Sequence, residues 1–226
     1  MSDANEEKAA KPAEHQIAAL VHGRYLLAGS EDTNGPLLVG FHGYGEGPEA
    51  NMEALRRIPG AERWQICAVA ALNRFYNTKT GKVIGSWMTS QNREQTIEDN
   101  IRYVASVIAL LRRDNPGRPL VIAGFSQGVA MAYRAAARAG HPCSGLLVLA
   151  GDVPPDVAAD GLDHLPPVLL GRGTEDAWYT EEKMNADLDV LRPAEVTVET
   201  CVFEGGHVWA DEYLDACGRF IQGLLD

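Results

Sequence analysis

The chain has 226 residues, of which 46% are hydrophobic, so it is long enough to bury one sizeable core. Its 31 acidic and 20 basic residues give a formal net charge of −11, which argues against a nucleic-acid partner because a surface of that charge repels polyanions. The densest basic stretch is only Arg112, Arg113 and Arg118, and the four cysteines are too widely spaced to predict a disulfide framework or a zinc site.

Residues 1–14 are predicted to form a disordered tail, because they are polar and Pro12 disfavours a packed element there. They contain no apolar segment of a secretory signal, and no run in the chain approaches the roughly 18 apolar residues that a membrane-spanning helix needs. The sequence therefore predicts a cytoplasmic protein without a membrane span, in which residues 15–226 form a single domain.

The first predicted element of this domain is an antiparallel hairpin. Residues 16–21 and 24–29 are mostly apolar and flank a short His-Gly pair, as in a tight β-turn. Two continuously apolar runs follow, at residues 37–41 and 65–70, and such runs are typical of strands buried on both faces. A helix is predicted between them, over residues 48–57.

The long connection over residues 72–92 carries four large apolar side chains, Phe75, Tyr76, Trp87 and Met88. A connection of this length often has a function, such as lining a substrate pocket. The alternative interpretation is that these side chains only cover the core, and the sequence leaves both open.

Strands and helices alternate through the rest of the chain. Strands are predicted over residues 120–123, 146–150, 168–170 and 195–203, and helices over residues 93–113, 127–139, 181–191 and 208–225. This alternation implies right-handed crossovers and a mainly parallel sheet with helices on both faces, extended by the N-terminal antiparallel hairpin. The predicted fold class is α/β, with no large cap domain.

The most specific motif is GFSQG, Gly124 to Gly128, which follows one predicted strand and precedes a predicted helix. This strand–turn–helix context is what the GxSxG pattern of the α/β-hydrolases requires. The serine must adopt a strained backbone conformation, and the two glycines remove Cβ atoms that would collide there. The motif therefore predicts Ser126 as a nucleophile exposed above the sheet.

A nucleophilic serine needs a base and an acid, which follow it in the order Asp or Glu, then His. His207 is the predicted base, because it lies after the last strand beside two glycines that allow its loop to bend back. Asp176 is the predicted acid, because it follows the strand over residues 168–170 at the end where parallel sheets bind ligands. Asp152 and Glu175 remain as competing acids.

Acyl transfer also needs N–H donors for the tetrahedral oxyanion. One is predicted to be the backbone N–H of Gln127, which follows the nucleophile. The loop after residues 37–41 has the sequence HGYG, in which glycines let the backbone approach substrate, so the Tyr44 N–H is the second candidate. His42 precedes Ser126 and is interpreted as a residue that holds this loop.

Four motifs occur in order: HGYG at residues 42–45, GFSQG at 124–128, GTED at 173–176 and GGH at 205–207. Together they resemble the phospholipase/carboxylesterase branch of the α/β-hydrolases, which includes the acyl-protein thioesterases, and the resemblance covers residues 16–226. It implies a lidless esterase with Ser126, Asp176 and His207 as triad and Tyr44 and Gln127 as oxyanion donors. The chain departs from the family pattern at Glu46, where aspartate is usual, and at Val129, where a second glycine is common.

The sequence thus predicts a serine ester hydrolase acting on short- to medium-chain acyl esters, without a metal or organic cofactor. Thioesters or lysophospholipids are alternative substrates, and a peptidase, an amidase or a non-catalytic binding protein on the same fold is a weaker hypothesis. A homodimer is compatible with an exposed apolar edge. The predicted pocket residues are Tyr44, Phe75, Tyr76, Trp87, Met88, Trp178 and Val208.

Overall fold

A sheet of seven strands forms the centre of the structure, a computed structural model that describes residues 12–32 and 34–225. The strands lie in the order β1-β3-β2-β6-β7-β8-β9. All neighbours are parallel except β1, which runs antiparallel to β3 at one edge. The bounds of the seven strands are β1 Tyr25–Gly29, β2 Leu37–Phe41, β3 Gln65–Val69, β6 Leu120–Phe125, β7 Gly145–Leu149, β8 Val168–Gly173 and β9 Val198–Phe203.

Six α-helices and a separate two-stranded hairpin complete the described chain. The hairpin is formed by β4 Asn73–Tyr76 and β5 Val83–Ser86. The helices are α1 Pro48–Leu55, α2 Arg93–Leu111, α3 Gln127–Arg138, α4 Pro155–Asp160, α5 Glu181–Leu191 and α6 Asp211–Leu225. Within the described residues, none of these helices has the length and apolar composition needed to cross a membrane.

The helices cover both faces of the sheet. Gly40 lies against α1 and Gly145 against α6, and the strand register places these two glycines on the same face. Gly124 points to the other face, where it meets α3, and α2 packs on α3. Every residue of β2, β6 and β7 is buried, as expected for strands covered on both sides. The predicted fold class, a mainly parallel α/β-hydrolase-like sheet with helices on both faces, is confirmed.

The antiparallel hairpin is present, but at a different place in the chain. Residues 16–21 form no strand, and Ile17 and Leu20 are 93% and 94% exposed, so the predicted partner of β1 is wrong. The strand β1 pairs with β3 instead. Gly23 is not a turn residue: a Cβ there would lie 2.0 Å from the Tyr103 ring, so the glycine permits close packing.

The predicted tail falls mainly on residues 1–11, which lie outside the described residues, and residues 12–14 are exposed and form no helix or strand. The other predicted elements are present and differ from the prediction only at their ends, whereas β4, β5 and α4 were not predicted. The last strand begins at Val198 rather than at residue 195, because Glu195 has a positive φ of 58° that ends the preceding turn. The single-domain organisation, the cytoplasmic location and the homodimer stay predictions.

Candidate active site

Ser126 lies in a sharp turn between β6 and α3, at the carboxyl end of the sheet. Its φ of 53° and ψ of −121° lie outside the regions that most residues adopt. A Cβ on Gly128 would lie 2.2 Å from the Phe41 carbonyl oxygen, and a Cβ on Gly124 would lie 2.5 Å from the Gly128 oxygen. Glycine is therefore required at both positions, because any side chain would force the turn apart.

Asp176 and His207 form a hydrogen-bonded pair beside this turn. The His207 Nδ1 donates to Asp176 Oδ2 at 2.8 Å, and Asp176 Oδ1 accepts from the backbone N–H groups of Trp178 and Tyr179 at 2.8 and 2.9 Å. The Asp176 side chain is fully buried, whereas the His207 side chain is 24% exposed. Because Nδ1 carries the proton in this bond, Nε2 of the neutral ring is available to accept one.

The two competing acids make other contacts. The Asp152 carboxylate lies 3.4 Å from the Lys183 Nζ, and Glu175 is exposed. Within the described residues, neither carboxylate is hydrogen-bonded to His207. The geometry therefore favours Asp176 among the three candidates.

Ser126 and His207 line the same cavity, which has a volume of about 600 Å³. The Phe125 ring packs on the imidazole, with ring centroids 4.9 Å apart. Among the described residues no hydrogen bond joins the Ser126 hydroxyl to the His207 ring. In unliganded hydrolases this bond is often long and shortens when substrate binds.

The loop that contains Tyr44 is held by the two residues on either side of its glycines. His42 Nδ1 donates to the Gly43 carbonyl oxygen at 2.7 Å, and His42 Nε2 accepts from the Ala71 N–H at 3.1 Å. Burial lowers the pKa of His42, which favours the neutral ring that these contacts require. The Glu46 carboxylate accepts from the Gly43 N–H at 2.9 Å, so the glutamate at the unusual position supports the loop.

The Gln127 side chain connects the start of α3 to the segment after β5. Its Oε1 accepts from the Trp87 N–H at 2.9 Å, while its Nε2 donates to the Met88 carbonyl oxygen at 3.3 Å. The Trp87 indole N–H in turn donates to the His42 carbonyl oxygen at 2.8 Å. In the described chain, the backbone N–H groups of Tyr44 and Gln127 have no hydrogen-bond acceptor, and both residues line the cavity. Two unused donors thus lie near Ser126.

The predicted pocket residues fall into three groups. Tyr44, Met88 and Trp178 line the cavity together with Ser126 and His207. Trp87 does not line it: the side chain is only 1% exposed and packs edge-on against Phe41, so its prediction as a pocket residue is corrected to a core position that fixes the loop. The remaining three are exposed side chains that lie outside the cavity, Phe75, Tyr76 and Val208.

Sequence reasoning missed a second group of cavity residues, which come from four helices and from the loops after β7 and β8. These additional residues are Arg93, Ala130, Arg134, Ala150, Gly151, Asp152, Val153, Pro154, Pro155, Tyr179 and Lys183. They follow no motif, and their side chains meet only because α2, α3, α4 and α5 converge above the sheet. Of these residues the sequence singled out only Asp152, and as a competing acid rather than as a cavity residue.

A buried carboxyl group lies behind the cavity wall. Asp187 Oδ2 accepts from the Tyr179 hydroxyl at 2.7 Å, and Oδ1 accepts from the Val153 N–H at 3.1 Å. Burial is the largest influence on this group and raises the pKa of Asp187 from 3.8 to about 6, although both hydrogen bonds oppose the shift. The folded protein therefore holds a proton on Asp187 at a pH where the unfolded chain has lost it.

We expect Asp187→Asn to remove a pH dependence of stability. The contribution of the protonated group is fully present below pH 3.8 and is lost as the pH rises through about 6. Urea unfolding at about pH 4.5 and 7.5 should show that the wild type loses on the order of 2 kcal/mol more than the variant over this interval. Asp189→Asn, an exposed change on the same helix, is the control. An identical pH dependence in wild type and Asp187→Asn would contradict this assignment.

Comparison with known proteins gives a family and a fold. A family model described as phospholipase/carboxylesterase matches residues 26–225, whereas no curated protein sequence matches. Similar solved structures are Arabidopsis thaliana SOBER1 (TM-score 0.68, 22% identity, covering 84% of this chain and 99% of that chain) and esterase PE8 (0.72, 20%, 90% and 100%). A third is Zea mays acyl-protein thioesterase 2, with a TM-score of 0.66 and 20% identity over 91% of this chain and 100% of that chain. At such identities the structures show the shared fold.

Proposed function

Since this chain belongs to the phospholipase/carboxylesterase family, we propose that it is a serine hydrolase that cleaves esters of short- to medium-chain carboxylic acids. The single observation that carries this proposal is the Asp176–His207 pair, which opens into the cavity that contains Ser126. The aspartate fixes the tautomer in which His207 Nε2 can take a proton. The strained backbone of Ser126 is the conformation expected of a nucleophile on such a turn.

The proposed reaction proceeds through an acyl-enzyme. His207 Nε2 takes the proton of Ser126 as the hydroxyl oxygen attacks the ester carbonyl carbon, and the backbone N–H groups of Tyr44 and Gln127 donate to the oxyanion. When the intermediate collapses, the imidazolium gives its proton to the leaving alcohol. Water then attacks the acyl-enzyme with His207 as base, and the imidazolium returns the proton to the Ser126 oxygen as the carboxylic acid leaves. These steps use no metal or organic cofactor.

A thioester would react by the same steps, with a thiol in place of the alcohol as the leaving group. The acyl group bound to Ser126 would be the same, so the triad does not discriminate between the two substrate classes. Acyl-thioesters of matched chain length therefore belong in the substrate panel used to test the proposal. Slower turnover of the thioesters at every chain length would favour the carboxylesterase.

A fluorophosphonate probe is expected to modify Ser126 of the folded protein and to block hydrolysis of p-nitrophenyl butanoate in proportion to labelling. Attack by an activated serine on phosphorus mimics the first step of acyl transfer. Peptide mass spectrometry should place one adduct per chain on Ser126, and urea-unfolded protein is the control that should remain unlabelled. An adduct at another residue, or full turnover by labelled protein, would contradict the proposal.

A further inference from the structure

Two cationic side chains line the cavity that contains Ser126. Arg93 is the first residue of α2, and Lys183 is the third residue of α5. A third cation, Arg134, is neutralised, because its guanidinium donates to both carboxylate oxygens of Asp156 at 2.8 and 3.0 Å. Arg93 and Lys183 are therefore the cations of this cavity to which a substrate could bind.

Both cations lie in the first turn of a helix, next to acidic residues of the same turn, Glu94 in α2 and Glu181 and Glu182 in α5. The first turn of a helix carries a partial positive charge, and acidic residues are preferred there. The α2 helix also begins directly after Asn92, whose φ of 49° places a non-glycine residue in the left-handed region. The feature of these two cations that bears on function is therefore that both line the cavity of Ser126.

Neither cation is fully compensated by the protein. Within the described residues the Arg93 guanidinium has no ion pair or side-chain hydrogen bond, and its side chain is exposed. Lys183 Nζ lies 3.4 Å from one oxygen of Asp152, and both side chains are about half exposed, at 50% and 54%. Two cations and one carboxylate leave one net positive charge here, in a chain whose formal charge is −11.

We propose that the substrates of this enzyme carry a carboxylate, which binds between Arg93 and Lys183 while the ester lies at Ser126. This inference rests on the proposed ester hydrolysis and names its substrate class. One net positive charge matches one negative charge, which favours a monoanionic carboxylate over a dianionic phosphate. The planar guanidinium of Arg93 can bind both carboxylate oxygens. The carboxylate belongs either to the acyl group or to the leaving group.

Two pairs of matched esters test the proposal and distinguish these sources. For the acyl group, p-nitrophenyl hydrogen adipate is compared with p-nitrophenyl hexanoate. For the leaving group, para-acetoxybenzoate is compared with phenyl acetate. For one of the two pairs, the kcat/KM for the anionic ester divided by that for the neutral ester should fall about fivefold in Arg93→Gln. This is the effect of losing one partly screened ion pair, and it should appear as a higher KM for the anionic ester.

Neighbouring variants sharpen the test. Lys183→Gln should lower the same ratio further, because it leaves Asp152 to repel the substrate, and Asp152→Asn should raise it. About 0.5 M NaCl should reduce the wild-type ratio by screening. Arg102→Gln is the control, since it removes an exposed cation from the same helix outside the cavity.

Unchanged ratios in both ester pairs for Arg93→Gln and Lys183→Gln would overturn this inference alone, provided that the neutral esters are hydrolysed. If neither neutral ester is hydrolysed and Ser126 is not labelled by fluorophosphonate, the proposed function falls and this inference falls with it.

Discussion

Replacing Ser126 with alanine is expected to lower kcat for p-nitrophenyl butanoate by on the order of 10⁶-fold, the loss observed when the nucleophile of a serine triad is removed. No acyl-enzyme forms, because alanine has neither an oxygen to attack the ester nor a proton for His207 to take. Residual hydrolysis would come only from the oxyanion donors and from substrate binding. The measurement is a steady-state rate on protein purified separately from any wild-type enzyme, since a trace of wild type would mask the loss.

The variant should keep its fold, because the Ser126 side chain makes no hydrogen bond to the rest of the described chain. Alanine can enter the same turn, whose close contacts involve the flanking glycines rather than the serine. The melting temperature should therefore remain near that of the wild type. Ser106→Ala, an exposed change on α2, is the matched control and should retain full activity. A Ser126→Ala protein with more than a few per cent of wild-type kcat would refute the assigned nucleophile.

Much of the fold followed from local patterns, because the central strands are covered on both faces. The run LVIA at residues 120–123 is continuously apolar, and every residue of β6 is buried. The glycines of GFSQG predicted a tight turn from the sequence alone, and in the structure a Cβ on Gly128 would lie 2.2 Å from the Phe41 oxygen. A glycine at such a position therefore indicates, from residue type alone, that the backbone there leaves no space for a side chain.

Other features depended on packing between segments far apart in the sequence. Residues 16–21 are as apolar as many strands, yet β1 pairs with β3 and leaves them exposed. Trp87 resembled a pocket residue, but its indole N–H reaches the His42 oxygen and its ring is buried. Arg93 and Lys183 are 90 positions apart and line the same cavity. Composition and periodicity carry no information about such long-range contacts.

The acid of the proposed triad gives the second large effect: Asp176→Asn is expected to lower kcat by about 10⁴-fold, because the histidine adopts the wrong tautomer. Asp176 Oδ1 accepts two backbone N–H groups, so the amide oxygen of asparagine must occupy that position. The NH₂ group then faces His207 Nδ1 and donates to it. With Nδ1 as acceptor, the ring proton moves to Nε2, which can no longer take the proton of Ser126.

Rates for three carboxylate variants check this assignment against its rivals. Glu175→Gln changes an exposed carboxylate next to Asp176 and should leave kcat for a neutral ester near that of the wild type. If Asp176→Asn were nearly as active as the wild type while Asp152→Asn lost on the order of 10⁴-fold, Asp152 would be the acid. The hydrogen bond to His207 would then have to move to the carboxylate that now lies beside Lys183, which requires a rearrangement of the loop after β7. The hydrogen bond between Asp176 and His207 makes that rearrangement unnecessary, and it already fixes the tautomer of His207.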